Sequence, residues 1–190
     1  MEKICIVLVP IGEVEKNLLE KLRDEIRLIF HPLQVIISVV ASIPKEAYNS
    51  SRRQYHSTHF LEAIRKQGAG KSSKFLGITS LDLLTDGLNF IFGQAIMNSN
   101  ACVISTYRLR PEFYGHPHNE KIFVERSMKE AVHELGHSFS LKHCSNPYCV
   151  MYFSNHILDT DRKEKNFCEK CRPLIKKSIG LIRRINKPIS

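Results

Sequence analysis

The segment 133–143, HELGHSFSLKH, constrains this chain more than any other stretch. His133 and His137 stand four residues apart, with Glu134 directly after the first. On a helix that spacing puts both imidazoles on one face, about 40° apart and one turn above the other. Zinc takes nitrogen ligands at about 2.0–2.1 Å in a tetrahedral shell, and two such histidines supply two of them. Glu134 falls about 100° round the helix from His133, where a carboxylate can act as general base on a zinc-bound water without ligating the metal. His143 is the expected third ligand. It lies six residues beyond His137, out of reach if the helix continues, so the chain must leave the helix near Ser140 and turn back.

The flanking residues support an active-site helix. Val124, Met128, Ala131, Leu135 and Phe139 cluster opposite the histidines, which predicts one face against a core and the other presenting a metal. An ordinary amphipathic helix with histidines on its polar side accounts for that stripe. It accounts for neither Glu134 nor His143, nor for the cysteines that follow.

Cys144 comes next, then Cys149 and Met151, and later Cys168 and Cys171, giving C-x4-C-x-M and a distal C-x2-C. With the long zinc motif running straight into a cysteine, this order resembles the archaemetzincins, a branch of the metzincin zinc peptidases. The likeness extends upstream through LNFIFGQA (88–95) and STYRLRPEF (105–113). It implies a metzincin-like α/β (α+β) fold: a mixed, mostly parallel five-stranded sheet with a backing helix, an active-site helix and a small zinc-braced C-terminal part. It implies two zinc ions per chain, a catalytic one on His133, His137 and His143 and a structural one on Cys144, Cys149, Cys168 and Cys171. Met151 would sit beneath the histidine ligands without binding metal, and the strand at 88–96, with Phe90, Ile91, Phe92 and Gly93, would pair with an extended substrate. One position departs: Ser140 stands where the family has glycine. A serine forced to positive φ there costs on the order of 1–3 kcal/mol.

Length predicts a single domain over residues 1–190, divided into 1–139 with the active-site helix and 140–190 with the cysteine site. No stretch reaches the roughly 20 apolar residues of a membrane span. The opening MEKICIVLVPIG has no small-residue cleavage site and reads as a first strand, so a cytoplasmic location is expected. In a reducing compartment the paired spacings among the six cysteines favour zinc over disulfides, while Cys5 and Cys102 read as buried core thiols. The net charge of +9 favours anionic partners. The basic residues are scattered, apart from a concentration in the last helix, and no aromatic-interleaved basic motif occurs. A solvated surface is the reading, with a peptide or protein as substrate, no nucleic acid and a monomer.

In order, 3–10 reads as a buried strand, 13–30 as a helix and 35–43 as a fully apolar, central strand parallel to the first. Residues 44–73 are polar, with one short helix at 59–66; His56 and His59 lack acidic or cysteine company. Strands follow at 75–83, 88–96 and 101–109, the last two joined by a short turn and so antiparallel. His116 and His118 flank a proline in a loop and read as solvated. In the last helix Ile175, Ile179, Ile182 and Asn186 mark one stripe, flanked by Leu174, Leu181 and Ile185.

The expected function is a zinc-dependent metallopeptidase, with Tyr152 or Tyr114 as candidate donors to a developing oxyanion and His156 as the competitor for one cysteine's place. Two alternatives stand beside it: a non-catalytic zinc module with a basic nucleic-acid-binding surface, and a zinc hydrolase of non-peptide amides. Glu134 separates the first alternative from an enzyme, because a structural site has no use for a general base.

Overall fold

The computed structural model describes residues 4–69, 72–97 and 99–185. Strand β1 (Cys5–Ile11) leads through helix α1 (Lys16–Ile29) to β2 (Gln34–Ile37), parallel to β1 as the strand–helix–strand order predicts. A small hairpin, β3 (Tyr48–Asn49) and β4 (Gln54–His56), precedes α2 (Ser57–Gln67), β5 (Lys74–Thr79) and β6 (Leu83–Leu84). Then come β7 (Gly93–Ala95), β8 (Ala101–Ser105) and two 3-10 turns at Tyr107–Leu109 and Pro111–Tyr114. Helices α3 (Glu120–Ser138), α4 (Ile157–Arg162) and α5 (Cys171–Ile185) complete the chain.

The main sheet runs β2-β1-β5-β8-β7, with only β7 antiparallel to its neighbour. This is the mostly parallel five-stranded sheet that was expected. Its central strands are apolar on both faces because both faces are covered. Ile6, Leu8, Leu76, Ile78, Cys102 and Ile104 share a core with α1, α3 and the C-terminal segment. Val7, Val9, Phe75 and Val103 point the other way, onto Phe60, Leu61 and Ile64 of α2.

Several element boundaries differ from the expectation. The 35–43 run lies at the sheet edge instead of the centre, and its ladder ends at Ile37; Val39 and Val40 are 83% and 66% exposed. An unbroken apolar run identifies a strand but not its neighbours, and β5 takes the other side of β1. The 75–83 strand stops at Thr79, and Leu83–Leu84 joins a separate three-stranded sheet, β3-β4-β6. Only Gly93–Ala95 of 88–96 pairs with β8, and the 101–109 ladder ends at Ser105. The 44–73 stretch also carries β3 and β4 and a longer helix than 59–66.

Helix α3 is the larger surprise. Asn119 caps its start, its side chain accepting from the Ile122 amide at 3.1 Å. Instead of one buried face it is enclosed nearly all round, Arg126, Lys129 and Glu130 included. The residues around α4 cover the polar side. Arg126 makes a bidentate pair with Asp161 at 2.7 Å, and Lys129 Nζ donates to the Asp161 carbonyl at 3.0 Å.

On α5, Ile175 and Ile179 pack on the core with Ile182 against it, while Leu174 and Leu181 are exposed. Asn186, and the side chain of Ile185, lie outside the described residues. No described helix is long and apolar enough to cross a membrane.

Candidate metal centres and active site

The helix ends where the third histidine needs it to. Leu141 N donates to the Gly136 carbonyl at 3.0 Å and Ser140 N to the His137 carbonyl at 2.8 Å, the paired bonds of a Schellman terminus. Ser140 occupies the left-handed position of that motif at φ 71°. The serine thus adopts the backbone that glycine takes without strain, and the turn geometry is kept at a conformational cost. Lys74, at the start of β5, donates to the Ser138 carbonyl at 2.7 Å and places a cation at the helix C-terminus. Burial lowers its pKa.

The reversal brings His143 back over the helix. Its Nε2 lies 3.1 Å from His137 Nε2, which lies 3.1 Å from His133 Nε2. The other ring nitrogens are committed: His133 Nδ1 is 2.7 Å from the Val150 carbonyl, and His137 Nδ1 is 2.7 Å from the Leu141 carbonyl. A carbonyl only accepts, so both Nδ1 atoms carry the hydrogen and both Nε2 lone pairs are free. Burial lowers all three histidine pKa values, that of His133 most, with Lys163 and the neighbouring rings adding to it for His133 and His143. Neutral imidazoles aiming lone pairs at one point repel one another unless a cation lies between them. Tetrahedral zinc with Zn–N bonds of about 2.0–2.1 Å sets N–N edges of about 3.3 Å, close to these separations.

The cysteines form a second group. The Sγ atoms of Cys144, Cys149, Cys168 and Cys171 all lie within 4.8 Å of one another, with Cys144 and Cys168 at 3.8 Å. A tetrahedral zinc thiolate site has S–S edges of about 3.8 Å. Burial opposes ionisation of Cys168, but the amides of Cys171 and Lys170 and the thiols of Cys149 and Cys144 outweigh it and bring its pKa to about 7. Burial pushes the Cys149 and Cys171 thiols up, and for Cys171 the neighbouring Cys149 adds to it. His156, the expected competitor, instead caps α4 with Asp159.

A cavity of about 810 Å³ opens over the histidines. Phe90, Ile91, Phe92 and Gly93 line one wall, Phe153, Ser154 and Asn155 another, with Glu134 and Glu130 between. Gly93 is placed against the glutamate: a Cβ there would come within 2.6 Å of Glu134 Cγ. Burial pushes the Glu134 pKa well up, Glu130 adding to it and Lys163 opposing. A nearby divalent cation acts in the opposite direction and favours the carboxylate.

Met151 packs against Gly136, between His133 and His137 in sequence. A Cβ on Gly136 would clash with its Sδ, so the glycine inside the H-E-x-x-H motif lets the methionine close against the helix. Behind the cavity, Lys163 Nζ is fully buried, 2.9 Å from Glu130 Oε1, which also accepts from Thr160 Oγ1 at 2.9 Å. Nζ sits off the direction of a hydrogen bond, so charge more than direction holds this pair.

Residues 1–177 match the model of peptidase family M54. The chain belongs to peptidase family M54. An archaemetzincin of Pyrococcus furiosus is 42% identical over 182 residues, 92% of this chain and 94% of that protein. The crystal structure of archaemetzincin from Methanopyrus kandleri superimposes with a TM-score of 0.83 at 31% identity, covering 94% of this chain and 96% of that one. That from Archaeoglobus fulgidus, complexed with malonate, gives 0.75 at 35% identity, covering 89% and 99%. As a member of this archaemetzincin family the chain is a zinc metalloprotease.

Other sequence candidates lie elsewhere. Tyr114 donates its phenol to the Arg108 carbonyl at 2.9 Å, and neither it nor Tyr152 is among the cavity-lining residues. His118 pairs with Glu112 at 2.6 Å, and both it and His116 are exposed. His56 lies 3.3 Å from Asn49 Nδ2. Cys102 is fully buried and Cys5 half-buried. Sequence reasoning missed Gly136, Val150, Glu130, Lys163 and Lys74. A glycine inside a helical pattern signals close packing and could have exposed Gly136; the others carry no local signal.

Proposed function

We propose that the chain hydrolyses peptide bonds with one zinc on His133, His137 and His143 and Glu134 as general base, and that Cys144, Cys149, Cys168 and Cys171 hold a second, structural zinc. The observation that carries this reading is the convergence of three imidazole Nε2 atoms beside Glu134 in the cavity floor. When bound, a zinc there supplies Lewis acidity, polarising a scissile carbonyl and making water acidic near neutral pH.

The chain's own residues do the rest. Val150 and Leu141 fix the tautomers of His133 and His137 by accepting from Nδ1. Glu134 takes the proton of the attacking water and returns it to the leaving amine. Gly93 keeps the β7 edge tight against Glu134 while the 90–93 wall receives an extended peptide, whose main chain is recognised without a demand for one particular side chain. The cysteine site ties the segment after His143 to the start of α5, and closed thiolate sites of this kind contribute folding free energy directly.

The test is Glu134→Ala, assayed on a mixture of tryptic peptides by mass spectrometry beside the metal content. Turnover should fall by about 10²–10⁴ with zinc retained. Unchanged turnover would remove Glu134 from the role of base.

A further inference from the structure

The cavity wall does not end at Phe90. Phe92 and Phe90 meet edge to face at 5.2 Å between ring centroids. Beyond Phe90 the Arg108 guanidinium lies 4.4 Å over its ring and 4.9 Å over that of Phe113. Phe113 in turn touches Tyr107 at 5.5 Å and Tyr114 at 5.0 Å. Edge-on ring contacts and the Arg108 guanidinium thus link Phe92 and Phe90 of the cavity wall to Tyr107 and Phe113, which lie beyond the cavity lining and are 44% and 42% exposed.

This run is rigid. Asp82 holds Arg108 through two bonds of 2.8 Å, which neutralises the guanidinium and leaves it to stack. The Asn89 carbonyl, beside Phe90, accepts from Arg52 at 2.7 Å and from Gln54 at 3.0 Å. Exposed aromatics held in place lose little entropy when covered, and aromatic side chains dominate the energetics of recognition surfaces. Nothing in the catalytic machinery requires Tyr107 or Phe113 to be aromatic or exposed.

We propose that Tyr107 and Phe113 form a second binding site for the substrate chain, remote from the bond cut and continuous with the cavity, that takes an aromatic or large aliphatic side chain. This rests on the peptidase reading for the direction of the cavity. Gly93 faces Glu134, and the three residues back to Phe90 span at most about 10 Å of chain. Crossing Arg108 to Phe113 adds two stacking steps of 4.4 and 4.9 Å. Taken end to end these steps set an upper limit, so the contact falls no more than about six residues from the scissile bond. The enzyme is then selective for long, unstructured peptides with a bulky apolar residue at that distance, on one side of the cleavage point only.

The experiment scans one phenylalanine along a fluorogenic dodecapeptide of otherwise small residues and reads kcat/KM for each member with the zinc-loaded protein. Wild type should show a maximum several residues, and no more than about six, from the cut, on one side, of about ten-fold over peptides without it, carried by KM. In Tyr107→Ala/Phe113→Ala that preference should collapse to less than about two-fold. A flat profile in wild type, or a preference that survives both substitutions, overturns the site. The wild-type scan stands alone if the double variant fails to fold. If wild type cleaves no member, the peptidase reading fails instead, and anisotropy of the same labelled peptides on the protein still shows whether the positional preference exists in binding.

Discussion

His133 donates its Nδ1 hydrogen to the carbonyl of Val150 over 2.7 Å, and Val150 follows Cys149 directly in the chain. Cys144 N closes the same segment onto the Met151 carbonyl at 2.9 Å. The residues that orient one histidine are therefore flanked by two cysteines of the other donor group. A change in the cysteine cluster reaches His133 through one backbone carbonyl, without crossing the cavity.

Cys171→Ser should accordingly weaken zinc binding at the histidines. Losses in groups that orient ligands cost about 10- to 100-fold in metal affinity, and the effect here should fall at or below that range. Chelator competition on wild type and variant measures it. Equal affinities, with the structural zinc lost, would make the two sites independent.

Ser140→Gly should stabilise the protein. The left-handed backbone at φ 71° costs a non-glycine residue about 1–2 kcal/mol. Relief of about 1 kcal/mol raises Tm by about 2–4 °C at this size. A thermal melt showing no gain would mean that side-chain interactions of Ser140 offset the backbone strain.

The main sheet and helices were legible in the sequence, because buried parallel strands must be apolar, and so were the three histidines and four cysteines that the fold gathers into two groups, because their spacing is that of metal ligands. The order of strands was not. The run at 35–43 is as apolar as a central strand, yet it sits at an edge, since its neighbours are chosen by pairings from distant parts of the chain. The enclosure of α3 was equally hidden: nothing near Arg126, Lys129 and Glu130 in sequence marks them as buried, and the groups they meet, Asp161 and Lys163, lie more than 30 residues on. Ser140 was legible as a strained position, and the structure shows the strain retained.

Gly93→Ala should lower turnover while leaving zinc bound. The added Cβ meets Glu134 Cγ at 2.6 Å, so either the glutamate rotates or β7 moves away. A displacement of about 1 Å at a catalytic group costs on the order of 10²-fold. Turnover within two-fold of wild type would show that the wall yields without moving Glu134.

Lys163→Met leaves Glu130 buried without its cation and should cost about 3–5 kcal/mol. Adding Glu130→Met removes the orphaned carboxylate and should recover most of that loss. Denaturant titration of the single and double variants checks it. A double variant no more stable than the single would mean that packing, not charge, makes Lys163 necessary.

Metal content tests the two-site account most directly. Wild type, purified without added metal and dialysed, should carry close to two zinc ions per chain by elemental analysis. His137→Ala and Cys168→Ser should each retain close to one, and only the first should do so with the fold's thermal stability largely intact. A single zinc in wild type, lost entirely in both variants, would contradict separate catalytic and structural sites.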